Sequence, residues 1–315
     1  MTETYKIGVT GAGGYIGSRL TANLLEEGHE VVPTDNFYNA KVDEVEGVEI
    51  RDLDVRDRDG LRETYDDVDV LMHLAAVSGV DSCDDNPELA FDVNVGGTEN
   101  VAWVCRENGI PLVFPCSMAI IGDPVEFPIT SDHPRNPLNT YGLTKSMGED
   151  DIHSLSRGEF PAHVYMKSNL YGHHELGGKE IGKNTVINIF VDKALNKEPL
   201  TVFKPGTQAR DFIHVKDTAR AYADSLDVIL DEEDGATTYP IASGDCRSIL
   251  EIAETVQEVV EEERGYSPEV ELVDNPREDE TLVDDFTVDT TKARDGIGFE
   301  AEYDIERAVR EMVSE

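Results

Sequence analysis

The sequence predicts an α/β fold, a doubly wound parallel sheet covered by helices and joined to a smaller C-terminal α/β lobe. Strand-like and helix-like segments alternate through the first half of the chain, which favours a parallel sheet. A glycine-rich turn joins the first strand-like segment to the first helical one, as in doubly wound folds that bind a ligand there. The 315 residues allow one large domain or two that share a core.

Each element is predicted from the spacing of apolar residues and from the turn residues around it. The first half contains candidate strands at 5–11, 30–35, 48–55, 69–76, 110–117 and 161–169, and candidate helices at 16–27, 87–108 and 140–156. After residue 170 come a Gly-rich loop GHHELGGKEIGKN, a helix near 185–196, short strands LTVFK and DFIHV, and helices at 216–230 and 247–264. No repeat or low-complexity linker separates these regions, so we expect them to form one compact body with two lobes.

The charge of the chain is strongly acidic. There are 66 acidic and 27 basic residues, for a formal net charge of −39, which would repel nucleic acid and anionic membranes; neither is expected as a partner. The acids are spread in short runs such as DDVD and DEED between apolar segments. Such an anionic surface is typical of proteins from salt-loving cytoplasms, where salt screens the self-repulsion, and it predicts a fold that loosens in low salt.

The apolar segments and the cysteines indicate the compartment. No apolar run is long enough to cross a bilayer, and the N-terminal MTETYKIGVTG runs directly into a strand pattern, so we expect a cytoplasmic protein. The four cysteines have no C-x-x-C pair and no zinc-like spacing to a histidine. They are expected to be reduced thiols, with no metal site.

The segment TGAGGYIG has the spacing of a phosphate-binding loop. Gly11, Gly14 and Gly17 lie where the first strand meets the first helix, so that the backbone can approach a pyrophosphate at the helix N-terminus. Asp35 ends the second strand, where a carboxylate can accept both hydroxyls of an adenosine ribose and would repel a 2′-phosphate. The pattern therefore predicts NAD as cofactor and disfavours NADP.

Two further segments are candidates for the cofactor site. Asp54, after the third strand, can hydrogen-bond the adenine amine through its carboxylate or through the neighbouring backbone. The segment HLAA ends the fourth strand with small residues, which would let the backbone lie against the cofactor. His73, the first residue of that segment, is interpreted as a structural histidine.

The segment NTYGLTKSMGED carries a Tyr-x-x-x-Lys pair. Residues four apart share a helix face, so the Lys145 ammonium can stand near the Tyr141 phenol and lower its pKa from about 10. A phenolate can remove a proton from a sugar hydroxyl as hydride leaves the same carbon. Ser117, at the end of the fifth strand, can orient that hydroxyl. The pair is a weak signal alone and gains weight from its order after the glycine loop, Asp35 and Ser117.

With these motifs in place, the chain resembles the extended short-chain dehydrogenase/reductases, specifically their NAD-dependent nucleotide-sugar epimerase/dehydratase branch. The likeness runs almost end to end, through TGAGGYIG, TDN, HLAA, NVGGT, CSMAIIGD, YGLTK, SNLYG, RDFIHVKD and DNPREDE. The resemblance implies a Rossmann-like domain at 1–168 and roughly 211–243 that holds NAD. It also implies a substrate-binding lobe at 169–210 and 244–315, and a homodimer.

The resemblance also assigns roles to individual residues. Tyr141 is implied as the base, Lys145 as the residue that binds the nicotinamide ribose and tunes the base, and Ser117 as the third catalytic group. Asn169, Arg210 and Arg277 match positions that hold the sugar nucleotide and its diphosphate, together with Ser117. The implied cofactor-binding residues are Gly11, Gly14, Tyr15, Ile16, Gly17, Asp35, Asn36, Asp54, Val55, Leu74, Ala75, Ala76, Asn94, Tyr141 and Lys145.

The residues after Ser117 select among the reactions of this branch. Dehydratases usually have an Asp-Glu pair there to expel water, whereas this chain has Met118 and Ala119, so an epimerase such as a UDP-glucose 4-epimerase is expected. The alternatives are an NAD-dependent 1-dehydrogenase of a free aldose or uronate, and a non-catalytic NAD-binding regulatory protein. Departures from the family pattern leave the sugar and nucleotide open: they are Met166 in place of Arg, His173 in place of Pro, a second histidine at His174, and Ile121 in place of an aromatic residue.

Overall fold

The structure is a computed structural model, and it describes residues 3–276 and 281–314. It contains strands and helices that alternate over most of its length, as predicted. The strands are β1 (Lys6–Thr10), β2 (Glu30–Asp35), β3 (Glu44–Val45), β4 (Val48–Glu49), β5 (Arg51–Asp52), β6 (Val70–His73), β7 (Leu112–Pro115), β8 (Pro161–Lys167), β9 (Asn169–Tyr171), β10 (His174–Leu176), β11 (Lys179–Ile181), β12 (Leu200–Phe203), β13 (Ala209–His214), β14 (Gly235–Ile241), β15 (Cys246–Ser248) and β16 (Val270–Val273). The helices are α1 (Tyr15–Glu26), α2 (Arg58–Tyr65), α3 (Val80–Asp85), α4 (Pro87–Phe91), α5 (Thr98–Asn108), α6 (Thr140–Leu155), α7 (Val186–Leu195), α8 (Val215–Ala223), α9 (Leu226–Ile229), α10 (Ile249–Arg264), α11 (Thr291–Ile297) and α12 (Ile305–Ser314).

A seven-stranded sheet forms the centre of the molecule, in the order β14-β8-β7-β6-β1-β2-β5. Every pairing in it is parallel. The strand order reverses direction at β1, which lies between β2 and β6. In an open parallel sheet, the crevice beyond the carboxyl ends of the strands at such a reversal is the usual place for a ligand. The predicted doubly wound fold is confirmed.

Apolar side chains on both faces of the sheet explain its stability. One buried cluster includes Phe114, Val164 and residues of α5, and another includes Ile7, Tyr165 and residues of α1 and α8. Strands buried on both faces read as continuous apolar runs, which is why β6, β7 and β8 are recognisable in the sequence. A third cluster packs α7, α10 and α12 together over β12 in the second lobe. None of the helices in the described ranges has the length and hydropathy of a membrane span.

Several predicted elements are wrong in detail. The strand predicted at 48–55 is two short strands, because β4 pairs with β3 in a small hairpin whereas β5 pairs with β2 at the edge of the central sheet. The helix predicted at 87–108 contains a π-helical segment, Asp92–Gly97, between α4 and α5. The helix predicted at 216–230 ends at Ala223 and resumes as α9. The Gly-rich loop after residue 170 contains a β-hairpin, β10 with β11, and β14 was not predicted.

Candidate active site

The glycine loop between β1 and α1 leaves the helix N-terminus open to the cleft. Gly11 has φ +70°, and a Cβ there would lie 2.6 Å from the backbone nitrogen of Ala75. A Cβ on Gly17 would lie 2.0 Å from the Gly11 carbonyl oxygen. Gly14 caps α1 without any side-chain hydrogen bond, so the first amide groups of the helix stay available to an anion. Tyr15 and Ile16 follow at the start of α1 and line the same cleft.

Asp35 lies at the edge of this cleft, at the carboxyl end of β2. Its Oδ2 accepts a hydrogen bond from Gly13 N at 3.0 Å, and its Oδ1 accepts one from Phe37 N at 2.8 Å. Burial raises the pKa of this carboxyl, and the two amide groups oppose the shift. A glycine cradle that a Cβ would fill, an uncapped helix end and this carboxylate together fit a dinucleotide of the NAD type.

On the adenine side of the cleft, the hydrogen bond from adenine to Asp54 or its neighbouring backbone stays a prediction. The Asp54 carboxylate accepts hydrogen bonds from Asn36 Nδ2 at 2.9 Å and from Arg56 Nη2 at 2.7 Å, and the Arg56 guanidinium holds its pKa well below the usual range. Two of the predicted groups, Asp54 and Asn36, are thus bonded to each other. The residues that line the cleft here are Leu53, Val55, Arg56 and Asn36.

The segment that ends β6 is fixed by the adjacent strand. Leu74 N donates to the Thr10 carbonyl at 3.0 Å, and Ala75 N donates to Thr10 Oγ1 at 3.2 Å. Leu74, Ala75 and Ala76 line the cleft. His73 is buried between Thr10 and Thr98, whose hydroxyls lie 2.8 and 3.1 Å from its ring nitrogens, and burial lowers its pKa to about 3. The interpretation of His73 as a structural residue is confirmed.

Asn94 lies in the π-helical segment and braces the site from behind. Its Oδ1 accepts from Val77 N at 2.8 Å, and its Nδ2 donates to the Val77 carbonyl at 3.0 Å and to Thr144 Oγ1 at 3.1 Å. The side chain is buried and does not line the cleft. Its amide connects the loop after β6 to α6, and binding of the cofactor by Asn94 stays a prediction.

Helix α6 carries Tyr141 and Lys145 against the end of β7. Asn139 caps the helix by accepting from Gly142 N at 2.9 Å. A Cβ on Gly142 would lie 2.4 Å from the Ala119 carbonyl oxygen, so a glycine is needed for the helix to come this close to the turn after Ser117. The Ser117 hydroxyl is close enough to the Tyr141 phenol to oppose the rise of its pKa. The structure therefore brings the three predicted catalytic groups together.

Burial strongly affects the electrostatics of this group. It raises the pKa of Tyr141, and the nearby Ser117 side chain opposes the rise. The lowering of the phenol pKa by Lys145 stays a prediction. Lys145 is 5% exposed, its Nζ lies 4.3 Å from the centre of the Phe114 ring, and burial lowers its pKa to about 8.

Three lysines that the sequence reasoning did not select also line the cleft, namely Lys41, Lys167 and Lys183. Lys167 is the last residue of β8, the strand next to β7. Lys183 follows β11, and its Nζ donates to Ser78 Oγ at 2.9 Å. The available signal for Lys167 was its position at the carboxyl end of a central strand, the same criterion that selected Ser117.

The predicted substrate residues lie outside this group. The Arg210 guanidinium donates to the carbonyl oxygens of Ala209 and Thr281, at 2.7 and 2.6 Å, and lies over the Phe286 ring. Asn169, at the start of β9, donates to the Asp211 carbonyl at 3.2 Å. Neither residue lines the cleft, so diphosphate binding by these two residues stays a prediction. Arg277 lies outside the described residues.

Comparison with known proteins connects this geometry to a family. Residues 7–238 match the model of the NAD dependent epimerase/dehydratase family. A putative UDP-glucose 4-epimerase of Methanocaldococcus jannaschii is 32% identical over 311 residues, which are 97% of this chain and 96% of the relative. The UDP-glucose 4-epimerase of Bacillus subtilis is 30% identical, with 82% and 83% covered.

A solved structure supports the same relationship. The UDP-glucose 4-epimerase of Thermus thermophilus, in complex with NAD, superposes on this chain with a TM-score of 0.81 at 25% identity. The alignment covers 98% of this chain and 97% of that one. Both lobes are therefore included in the likeness, and not just the glycine loop and its sheet.

Proposed function

The chain belongs to the NAD-dependent epimerase/dehydratase family, and we propose that it is a sugar-nucleotide epimerase that acts on UDP-hexoses such as UDP-glucose and UDP-galactose. One observation carries the proposal: Tyr141 and Lys145 line the cleft that also contains the glycine loop, and the Ser117 side chain lies near the Tyr141 phenol. The relatives named above are UDP-glucose 4-epimerases, and this supports the choice of substrate.

The proposed reaction moves one proton and one hydride in each direction. Tyr141 Oη takes the proton of a sugar hydroxyl while the C–H bond of the same carbon breaks, which leaves a ketone. The glycine loop and Asp35 would hold NAD, which would supply the hydride acceptor and, after the sugar has turned over, the hydride donor for the opposite face of that carbon. Tyr141 then gives the proton back to the oxygen, so the sugar leaves with inverted configuration and no net oxidation.

The other two side chains have distinct proposed roles. Ser117, which interacts with the Tyr141 phenol, orients the reacting hydroxyl by a hydrogen bond. Lys145 is proposed to bind the nicotinamide ribose. The buried ammonium also favours the phenolate once the cleft is closed by its ligands, because a cation near a phenol stabilises its ionised form.

The side chains after Ser117 separate epimerisation from dehydration. Met118 is buried and apolar, and Ala119 has no ionisable group. Elimination of water needs an acid for the leaving hydroxyl and a base for the neighbouring carbon. These two positions provide neither, whereas the epimerase reaction needs nothing beyond the Tyr141 group and NAD.

The function is tested by supplying sugars to the NAD-loaded protein and following two products. Interconversion of UDP-glucose and UDP-galactose without net NADH absorbance is the expected result. Net NADH production from free galactose, glucose, arabinose or a uronate would replace the epimerase by a sugar dehydrogenase. NAD binding with neither reaction would indicate a regulatory protein.

We also propose that the protein works as a homodimer. Leu143 and Met147 are 42% and 37% exposed, lie one turn apart on α6, and can serve as a contact surface. Val80 on α3 and Phe91 on α4 are exposed beside them, since both short helices pack against α6. Sedimentation of the wild-type chain and of a Leu143→Glu variant tests this, with the variant expected to be monomeric.

The remaining proposals concern organisation and environment. We propose that residues 1–168 with 211–243 form the NAD-binding domain and that 169–210 with 244–315 form the substrate lobe. The net charge of −39 and the free thiols of the four cysteines support a salt-rich, reducing cytoplasm.

A further inference from the structure

The reaction end of the cleft is cationic in a protein that is otherwise acidic. Lys145, Lys167 and Lys183 all line it, although the chain has 66 acidic and only 27 basic residues. Two lysines outside the cleft are paired with acids, Lys6 with Asp67 and Lys204 with Asp274 at 2.8 Å. Within residues 3–276 and 281–314, no carboxylate is bonded to any of the three cleft lysines, and the hydrogen-bond partner of Lys183 is the neutral hydroxyl of Ser78.

Two of these lysines reach the cleft from different parts of the fold. Lys167 ends β8, and the register pairs Tyr165 with Pro115 of β7, so Lys167 is level with Ser117 on the neighbouring strand. Lys183 comes from the segment between β11 and α7, and its ammonium contacts the loop after β6 through Ser78. The proposed hydride-transfer chemistry uses neither of them.

Like charges in a buried cleft are unfavourable unless a ligand of opposite charge joins them. Burial, together with the charges of Lys183 and Lys145, lowers the pKa of Lys167 to about 7, and Cys116 opposes this shift. Burial also lowers the pKa of Lys183, together with the charge of Lys41. An anion between the ammonium groups would remove this repulsion and restore both charges.

The cofactor does not supply such an anion at this end. Its diphosphate is served by the glycine loop and the N-terminus of α1, and the nicotinamide group carries no negative charge. Asp35, the acid that lines the cleft, belongs to the ribose side. The anion must therefore belong to the second ligand of the cleft, the substrate.

We propose that Lys167 and Lys183 form a subsite for an anionic group of the bound sugar nucleotide, either a carboxylate on the sugar or a phosphate of its nucleotide. This inference rests on the proposed function for the identity of the ligand. Ammonium groups bind both anions by charge-assisted hydrogen bonds, so the chemistry is shared and the source is decided by experiment.

The experiment compares Lys167→Met and Lys183→Met with Lys204→Met, an exposed lysine remote from the cleft that controls for the loss of one charge. KM is measured with UDP-glucose and UDP-glucuronate as substrates. Calorimetry of the NAD-loaded proteins with UDP, uridine and UDP-glucuronate measures the binding affinity separately from turnover. Thermal melting and NAD retention establish that each variant is folded, and Lys167→Arg tests rescue by a conserved charge.

If the anion is a carboxylate of the sugar, Lys167→Met should raise KM for UDP-glucuronate by about tenfold or more, as expected for a lost charged hydrogen bond. The same variant should leave KM for UDP-glucose within about twofold of the wild-type value. If the anion is a phosphate of the nucleotide, KM should rise equally for both substrates, the affinity for UDP should fall by the same factor, and the affinity for uridine should stay unchanged. Either result supports the subsite, and Lys167→Arg should restore most of the loss. The subsite would be overturned if KM and affinity in Lys167→Met and Lys183→Met stayed within twofold of those in Lys204→Met for every ligand.

Proton uptake gives a second readout that a structural lysine would not produce. Because the pKa of Lys167 lies near 7 in the free protein, an anion that raises it makes the complex take up a proton at pH 8. The affinity should weaken as the pH rises above 7, and Lys167→Met should abolish the uptake measured in buffers of different ionisation enthalpy. Proton uptake on binding of UDP, with no epimerisation of any UDP-sugar, would refute the proposed function and support the subsite. Epimerisation with neither proton uptake nor weaker binding in the two lysine variants would support the proposed function and overturn the subsite.

Discussion

The two ends of the cleft are built by different means. At the adenosine end, Gly11 and Gly17 present backbone, and the carboxylate of Asp35 is held by two amide groups. At the reaction end, long side chains project from the ends of separate elements, with Tyr141 on α6 and Lys167 on β8. The first end is therefore determined by what the backbone permits, and the second by which side chains the fold happens to bring together.

This difference predicts different responses to substitution. A substitution at a glycine of the adenosine end changes the path of the backbone, so binding and stability should fall together. A substitution at the reaction end removes one functional group from a surface that the sheet and α6 hold in place, so chemistry should change while the fold persists. The predictions below follow this division, from the largest expected effect to the smallest.

Tyr141→Phe tests the reaction end. Removing the phenol hydroxyl removes the group that accepts the substrate proton, so turnover should fall by about a thousandfold, within the range for general acid–base groups. The melting temperature and NAD retention should stay close to those of the wild-type protein. Tyr5→Phe is the matched control, because the Tyr5 hydroxyl donates to the surface residue Glu3. A Tyr141→Phe protein that keeps most of its turnover would exclude this residue as the base.

Gly17→Ala tests the adenosine end. The new Cβ would lie 2.0 Å from the Gly11 carbonyl oxygen, so the loop or α1 must shift. We expect NAD affinity to fall by about a hundredfold and the melting temperature to drop by several degrees, at the scale of an overpacked core position. Gly96→Ala is the control, because no atom lies within 4 Å of a Cβ placed there. Tight NAD binding by Gly17→Ala with an unchanged melting temperature would contradict the backbone account.

Asp35→Asn sharpens the comparison, since it keeps the shape of the adenosine end and removes its charge. The discrimination between NAD and NADP should fall by about tenfold, because the repulsion of a 2′-phosphate is lost while a ribose hydroxyl can still bind. Titration of each cofactor with the wild-type and variant proteins measures this ratio. Asp43→Asn, which lies outside the cofactor cleft, should leave it unchanged. An unaltered ratio in Asp35→Asn would place cofactor selection elsewhere.

The division between the two ends also explains which parts of the site the sequence revealed. The glycine loop and Asp35 are readable because their residue types are dictated by backbone geometry and strand position. Ser117, Tyr141 and Lys145 are recognisable by their order along the chain, although the convergence of α6 on the turn after Ser117 depends on Gly142. The family resemblance supplied the roles that spacing alone did not.

The positions that sequence reasoning missed depend on long-range contacts. Lys167 lies level with Ser117 because β8 pairs with β7, and this pairing joins strands that are far apart along the chain. Lys183 lies in a segment that resembles a flexible loop in the sequence and is preceded in the structure by the β10–β11 hairpin. Its contact with Ser78 joins residues that are 105 positions apart, so it follows from the packing of the second lobe on the sheet.

The smallest predicted effect concerns the contrast between the cationic reaction end and the anionic surface. The net charge of −39 destabilises the compact state through repulsion between surface acids, and salt screens that repulsion. We expect the melting temperature to rise by about 5 °C or more between dilute buffer and molar KCl, which corresponds to ~3 kcal/mol of unfolding free energy in a chain of this size. The cleft lysines lie among buried groups, where salt screens charges less. The same increase in salt should therefore change the affinity for UDP less than it changes the free energy of unfolding. A melting temperature that does not respond to salt would contradict the proposed adaptation of the surface to a salt-rich cytoplasm.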